Sequence, residues 1–341
     1  MDARFFDDLT NESGYVPEKP IAVPGARKPE LWDPARYLPD SGLADAIKVA
    51  LLLRKPLLLT GEPGTGKTEL AYYLTWKLGH KDVQGNPDKP LLFEAKSNST
   101  ARDLFYTYDT LARFEDYQTG RGKETQHYLH FNALGEALIQ ANAHEGVKGL
   151  LTERFAHRGP RQSVVLIDEI DKAPRDFPND ILNEIDKAYF RVRELDHREV
   201  RAPRGMEPII VITSNSEKNL PGPFLRRCVY YHIEFREDRL RAIVAARIKE
   251  FRKEDGRPAA SPALDGALQL MGKLRSKEVG LHNRPATAEL LDWLMAMLAE
   301  GLDVKRPLRD QKALAVATSL VTLLKDERDQ LGQRTAMASY L

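Results

Sequence analysis

Eight residues limit what this chain can fold into more than any others: Gly61-Glu-Pro-Gly-Thr-Gly66-Lys67-Thr68, placed directly after the apolar run Pro56 to Thr60 and directly before a helical pattern. Gly61, Gly66, Lys67 and Thr68 satisfy the spacing G-x-x-x-x-G-K-[ST]. Glycines at such points let successive backbone N–H groups curl around a phosphate without side-chain obstruction. The helix that follows offers unpaired N–H groups and a dipole that favours an anion. Lys67 is placed to reach β and γ phosphates and the Thr68 hydroxyl to ligate Mg²⁺, while Glu62, Pro63, Gly64 and Thr65 complete the cradle. The loop predicts a nucleoside triphosphate site with magnesium, built on a strand, a loop and a helix.

The rest of the chain supplies the matching strands. Short apolar runs at Pro56 to Thr60, Leu91 to Ala95, Ser163 to Ile167, Pro208 to Thr213 and Val229 to Phe235 have the length and β-branched content of buried parallel strands. Helical patterns separate them: Asp40-Ser41 caps one that Lys55-Pro56 stops, Thr68 to Leu78 ends at Gly79, and Phe177 to Ala188 forms a third. This alternation predicts an α/β sandwich. Beyond Phe235 only helical stripes remain, at Leu240 to Phe251, Pro262 to Leu274, Thr287 to Leu298 and Gln311 to Leu324, so a small all-α domain is expected after the sheet.

Two further strand ends carry chemistry. Ser163-Val-Val-Leu-Ile-Asp168-Glu169 ends a β-branched run in two carboxylates, and ligands of open α/β sheets sit at such strand tips. Asp168 is placed to hold the magnesium through water and Glu169 to act as general base on an attacking water. Arg226 and Arg227 precede the last strand, where an arginine points away from its own nucleotide. Arg227, with Arg226 in reserve, is therefore a candidate to act in a neighbouring subunit's site.

Composition excludes several classes. The 51 basic and 50 acidic residues leave a net charge of +1, so no global field draws the chain to nucleic acid or to an anionic membrane. Cys228 is the single cysteine, which rules out an internal disulfide, fits a reducing compartment and reads as a packed small hydrophobe. The longest apolar stretch, Val49 to Leu59, is broken by Arg54 and Lys55, so membrane insertion is not expected and a cytoplasmic location is.

In order and spacing these features resemble the AAA+ ATPases, and more narrowly the MoxR-type branch that carries an insertion after the second core helix. The resemblance implies a P-loop AAA+ sandwich, with a parallel five-stranded sheet in the order 5-1-4-3-2, followed by a small helical lid. It places Walker A at Gly61 to Thr68 and Walker B at Val164 to Glu169. It also places sensor 1 at Asn215, whose amide would hold the attacking water, and the arginine finger at Arg227. It divides the folded chain into a nucleotide-binding domain (41–236) and a lid (237–341), while the Pro-rich arm (1–40), to which the family offers no counterpart, reads from its six prolines as lying extended on a surface. The insert then falls at about 103–131 and a pre-sensor hairpin at about 189–202. The lid departs from the branch pattern: Gly280-Leu-His-Asn-Arg284-Pro-Ala-Thr-Ala-Glu289 replaces the usual Ser-Pro-Arg run. Either Arg284 serves as sensor 2 from one turn earlier, or Glu289 occupies the arginine's place.

The family implies ATP and Mg²⁺ as cofactors, a hexameric ring with nucleotide bound between subunits, and a protein partner, in this branch often one with a von Willebrand A-type domain. An ATP-driven remodelling enzyme is the leading expectation. The alternatives are an ATP-gated binding or signalling module with slow turnover and, third, a DNA-associated motor, which the near-neutral charge disfavours. GTP is disfavoured because Asn215-Ser-Glu-Lys does not match the guanine-selective N-K-x-D run.

Overall fold

The computed structural model describes residues 33–340 except 83, 153–154, 216–219 and 334–335. The arm up to residue 32, and three residues of the Asn215-Ser-Glu-Lys run, lie outside the described residues.

Local chemistry starts and stops the first helix. The Asp40 carboxylate accepts the Leu43 N–H at 2.7 Å to open α1 (Ser41–Leu53), and left-handed Arg54 closes it. Pro56 then directs the chain into β1 (Leu57–Gly61), buried along its whole length. The phosphate loop leads into α2 (Glu69–Lys77), followed by β2 (Leu91–Glu94). The insert is an antiparallel pair, β3 (Tyr106–Tyr108) and β4 (Leu129–Phe131), with α3 (Thr110–Gln118) between the strands. Helix α3 is not apparent in the hairpin reading of this segment. Asp109 caps it, and its apolar residues at helical spacing, Leu111, Phe114 and Tyr117, are exposed rather than turned to the core.

After α4 (Ala133–Gln140) the chain forms β5 (Val164–Asp168). The helix expected over Phe177 to Ala188 is split into a single helical turn, Phe177–Asp180, and α5 (Leu182–Lys187), which meet at Ile181. The expected second hairpin is β6 (Tyr189–Val192) and β7 (Arg198–Arg201). The sheet is completed by β8 (Ile209–Thr213) and β9 (Val229–Ile233).

All pairings in the main sheet are parallel, in the order β2-β5-β8-β1-β9. Numbered by themselves along the chain, these strands run 2-3-4-1-5, which from the other edge is the expected 5-1-4-3-2. Alternate residues serve opposite faces. Leu57, Leu59, Leu166 and Val211 pack with α1 and α2, through Leu43, Leu70 and Leu74. Leu58, Val165, Ile167 and Ile212 pack with α4 and the hairpins. Those hairpins share one aromatic cluster: Phe190 stacks on Phe105 at 5.4 Å and meets Phe131 edge-on, while the Tyr106 hydroxyl donates to Glu194 at 2.9 Å. Cys228 sits half-buried against this layer, and burial, reinforced by Asp186, pushes its thiol up to about 12, as suits a packing residue.

The helical remainder has its own core. Helices α6 (Glu237–Arg247), α7 (Pro262–Arg275), α8 (Thr287–Ala299) and α9 (Lys312–Leu323) pack around Leu240, Phe251, Leu270 and Trp293, whose indole N–H donates to Thr318 at 2.9 Å. Helix α10 (Glu327–Gln333) follows, and its buried Asp329 accepts the backbone N–H groups of His282 and Asn283 at 3.0 Å each. Among the described residues no helix is long and apolar enough to cross a membrane.

Candidate functional site

The phosphate loop is set by close backbone approach at both ends. Gly61 has φ of +145°, and a Cβ there would lie 2.5 Å from the Ile233 carbonyl of β9, so only glycine lets the loop leave the sheet at this point. Lys67 is 7% exposed, and its ammonium donates to the main-chain carbonyls of Gly61 at 2.8 Å and Glu62 at 2.9 Å. Burial pulls its proton affinity below the usual lysine value, and Asp168, Asp171, Glu169 and Glu62 oppose that pull without cancelling it. A buried cation bonded to neutral carbonyls suits an anionic ligand at this position.

The acidic centre is assembled by strand order. Because β8 lies between β1 and β5, its last residue, Thr213, stands between the phosphate loop and the tip of β5. Asp168 Oδ1 accepts the Thr68 hydroxyl at 3.0 Å and the Thr213 hydroxyl at 2.5 Å. Thr213 Oγ1 in turn accepts the Glu169 N–H at 2.8 Å. Glu169 adopts φ of 53° and ψ of 50°, a left-handed conformation costing a non-glycine residue about 1–2 kcal/mol. That turn sends its carboxylate away from Asp168 toward Lys172, with which it is ion-paired, and toward the Asn215 amide at 3.4 Å. Asn215 is held from behind by its own N–H to Asp171 at 3.2 Å. The structure thus brings Thr68, Asp168, Glu169 and Asn215 together. Thr213, which links them, was part of an apolar run in the sequence and gave no signal of its own. The oxygen donors of Thr68 and Asp168 are of the kind magnesium takes.

Other expected residues lie apart from this cluster. Strand β9 runs parallel to β1 with Val229 opposite Leu57, so Arg226 and Arg227, which precede Val229, lie at the end of the sheet away from the loop, beyond the roughly 13 Å of strand from Val229 to Ile233 beside Gly61. Arg227 is exposed and paired with Asp186 at 2.9 Å, and Arg226 is exposed. In the lid, Arg284 is exposed beside Glu62 and Pro63 in an open cleft of about 510 Å³. Glu289 is engaged in capping, its carboxylate accepting the Ala286 N–H at 3.0 Å.

A second cavity of about 90 Å³ lies on the other flank of the loop, lined by Tyr37, Gly64, Ile233, Ile243 and Leu291, with Arg239 and Arg247 at its border. Its position between loop, sheet edge and lid suits a nucleotide base. Tyr37 is buried, contacts the Tyr73 ring at 5.5 Å, and has its phenol raised first by burial and then by Glu69 and Asp40. Arg36 donates to the Ala246 carbonyl at 3.1 Å. Tyr37 and Arg36 therefore anchor the end of the Pro-rich segment in the fold, where an extended surface arm was expected. Tyr37, the one aromatic between Pro34 and Pro39, is the signal that could have shown it.

A family model described as AAA domain (dynein-related subfamily) matches residues 56–228, which is half of the chain. No curated protein matches the sequence. Among solved structures, domain III of the replication initiation protein DnaA from Thermotoga maritima aligns over 86% of this chain and 97% of that chain, at 13% identity and a TM-score of 0.41, too low to carry function across.

Proposed function

Because the chain belongs to the AAA domain family, dynein-related subfamily, we propose that it is a magnesium-dependent ATPase of the MoxR type. Its copies form a ring, hexameric by the family's habit, and turnover remodels or assembles a partner protein, for which a von Willebrand A-type domain is the first candidate. The observation that carries the ATPase reading is the convergence of three strand ends, through Thr68, Asp168, Thr213, Glu169 and Asn215, beside a buried lysine.

In this reading Lys67 exchanges the Gly61 and Glu62 carbonyls for β and γ phosphate oxygens, and the backbone N–H groups of Gly64 to Thr68 cradle the phosphates. Thr68 and Asp168 would hold magnesium, which would supply charge neutralisation at the phosphoryl oxygens. Glu169 accepts the proton of the attacking water, and Asn215 orients the Glu169 carboxylate and that water. Tyr37 and its neighbours pack the base. Arg227, a strand's length from its own loop, serves the site of the adjoining subunit, and Arg284 reaches phosphate from the lid. The separate lid core supports a division near residue 236. The single cysteine supports a cytoplasmic setting.

One observation favours a slower, nucleotide-gated module: the Glu169 carboxylate is occupied by Lys172 and Asn215, so it must be released before it can act as a base. The ring reading is tested by mixing Arg227→Ala with Glu169→Gln subunits. Sites shared between subunits predict that the mixture recovers part of the phosphate release that neither variant shows alone. Activity no greater than the sum of the two would place Arg227 outside the reaction.

A further inference from the structure

Glu62 holds two partners at once. Its main-chain carbonyl accepts the ammonium of Lys67, at 2.9 Å, and its carboxylate accepts the guanidinium of Arg275, the last residue of α7, at 2.8 Å. Arg275 is fixed from three sides. One nitrogen reaches Glu62, another donates to the Pro285 carbonyl at 2.8 Å, and the guanidinium plane lies 3.6 Å from the centre of the Phe235 ring. Its side chain is 10% exposed, whereas that of Glu62 is 46% exposed. Pro285 leads directly into α8, whose Ala288 N–H donates to the Gly64 carbonyl at 3.2 Å. The phosphate loop and the lid are therefore joined at two points, with Arg275 bracing both the loop and the start of the helix that touches it.

We propose that Arg275 is the positioning residue that couples lid placement to nucleotide occupancy, with Glu62 as the joint between them. The proposal rests on the ATPase reading above. Phosphate cannot be bound by Lys67 while its ammonium stays on the carbonyls of Gly61 and Glu62. Release of those bonds changes what holds Glu62, and Glu62 carries the change to Arg275, whose planar fork passes it to Pro285 and α8. Neither residue is required to touch the reacting atoms. Arg284, exposed and one residue before Pro285, is then carried toward or away from the loop by the same brace. The coupling runs through contacts of the lid that lie beyond the segment matched by the family model.

The test is amide hydrogen exchange on the full chain, with and without Mg-ATP, in a Glu169→Gln background so that nucleotide is not consumed. Residues 61–68 report occupancy of the loop and residues 280–290 report the lid. With Arg275 intact, both segments slow on adding Mg-ATP. Arg275→Ala should keep the slowing at 61–68 and lose at least ~80% of that at 280–290. Glu62→Gln, a change at a half-exposed carboxylate that leaves α7 intact, should show the same split if Arg275→Ala folds poorly. Arg275→Lys should restore only part, because an ammonium cannot bridge Glu62 and Pro285 while stacking on Phe235. Lid slowing in Arg275→Ala and Glu62→Gln equal to that of the parent overturns the proposal. Absence of slowing at 61–68 in the parent itself defeats the nucleotide-binding reading, and the proposal with it.

Discussion

Thr213 offers the sharpest quantitative check on the site, because a single hydroxyl serves two neighbours. It donates to Asp168 Oδ1 at 2.5 Å and accepts the Glu169 N–H at 2.8 Å, and the residue is 1% exposed. Thr213→Val keeps the volume and the β-branch, so no cavity opens. What is lost is a hydrogen bond to a carboxylate, about 1.5–3 kcal/mol, and the partner of a backbone N–H, whose desolvation costs about 1–3 kcal/mol when left unpaired. Asp168 retains Thr68, and the two losses are coupled through one atom, so the expected total is about 2–4 kcal/mol rather than their sum. Thr213→Ser keeps the hydroxyl and loses one buried methyl, about 1 kcal/mol. Urea unfolding followed by circular dichroism, at neutral pH without nucleotide, gives both values. Valine should also slow phosphate release more than serine, because the turn that aims Glu169 is no longer pinned. A valine variant within about 0.5 kcal/mol of the parent, or a serine variant as destabilised as valine, would refute the reasoning.

Gly64 and the lid yield two more expectations. Gly64 has φ of +75°, and a Cβ would fall 3.1–3.3 Å from the Glu289 carboxylate and the Ala288 and Ala286 methyls. Gly64→Ala should therefore combine about 1–2 kcal/mol of backbone strain with displacement of α8 from the loop, raising the Kd for ATP in equilibrium binding at least ~5-fold. Unchanged affinity would show that the lid contact does not bear on the nucleotide. At Asp329, burial raises the carboxyl's affinity for a proton, but the N–H groups of Asn283 and His282 outweigh it, and the net value lies below the ordinary 3.8. Its stabilisation is complete above the unfolded-state value and fades as pH falls from about 4 through the lower folded value. Asp329→Asn should lower stability by about 1–3 kcal/mol at neutral pH and flatten this acid loss, seen by repeating the urea titration between pH 5 and pH 2.

How much of this was legible in the sequence differs by element. The sheet and its order followed from five apolar runs together with the family resemblance, because the inner strands β1, β5 and β8, buried on both faces, leave a continuous apolar signature. Gly61 to Thr68, Asp168 and Glu169 were legible because their chemistry demands fixed residue types at fixed spacing. Thr213 was not, since its role arises from β8 standing between β1 and β5, and a threonine ending a strand is common for packing reasons alone. Tyr37 was hidden by surrounding prolines, which mark irregular backbone without saying whether it is buried. Helix α3 carries an apolar stripe at helical spacing, Leu111, Phe114 and Tyr117, but that stripe is exposed, and the family resemblance marks the segment as a hairpin instead. Arg275 looked like any basic residue near a helix C-terminus, where a lysine or arginine is favoured by the dipole. Only the three-dimensional placement of Glu62 and Phe235 distinguishes it.

Glu169 as the base and the adjoining loop as the ATP site are both addressed by one measurement. ATP retention and phosphate release are followed together in the parent and in Glu169→Gln, with Mg²⁺ present. The parent should bind and release phosphate, while the variant should hold ATP at least as tightly and release phosphate at least ~100-fold more slowly, the scale of a lost general base. Phosphate release by the variant within a few-fold of the parent would remove Glu169 from the reaction, and failure of the parent to retain ATP would contradict the account at its root.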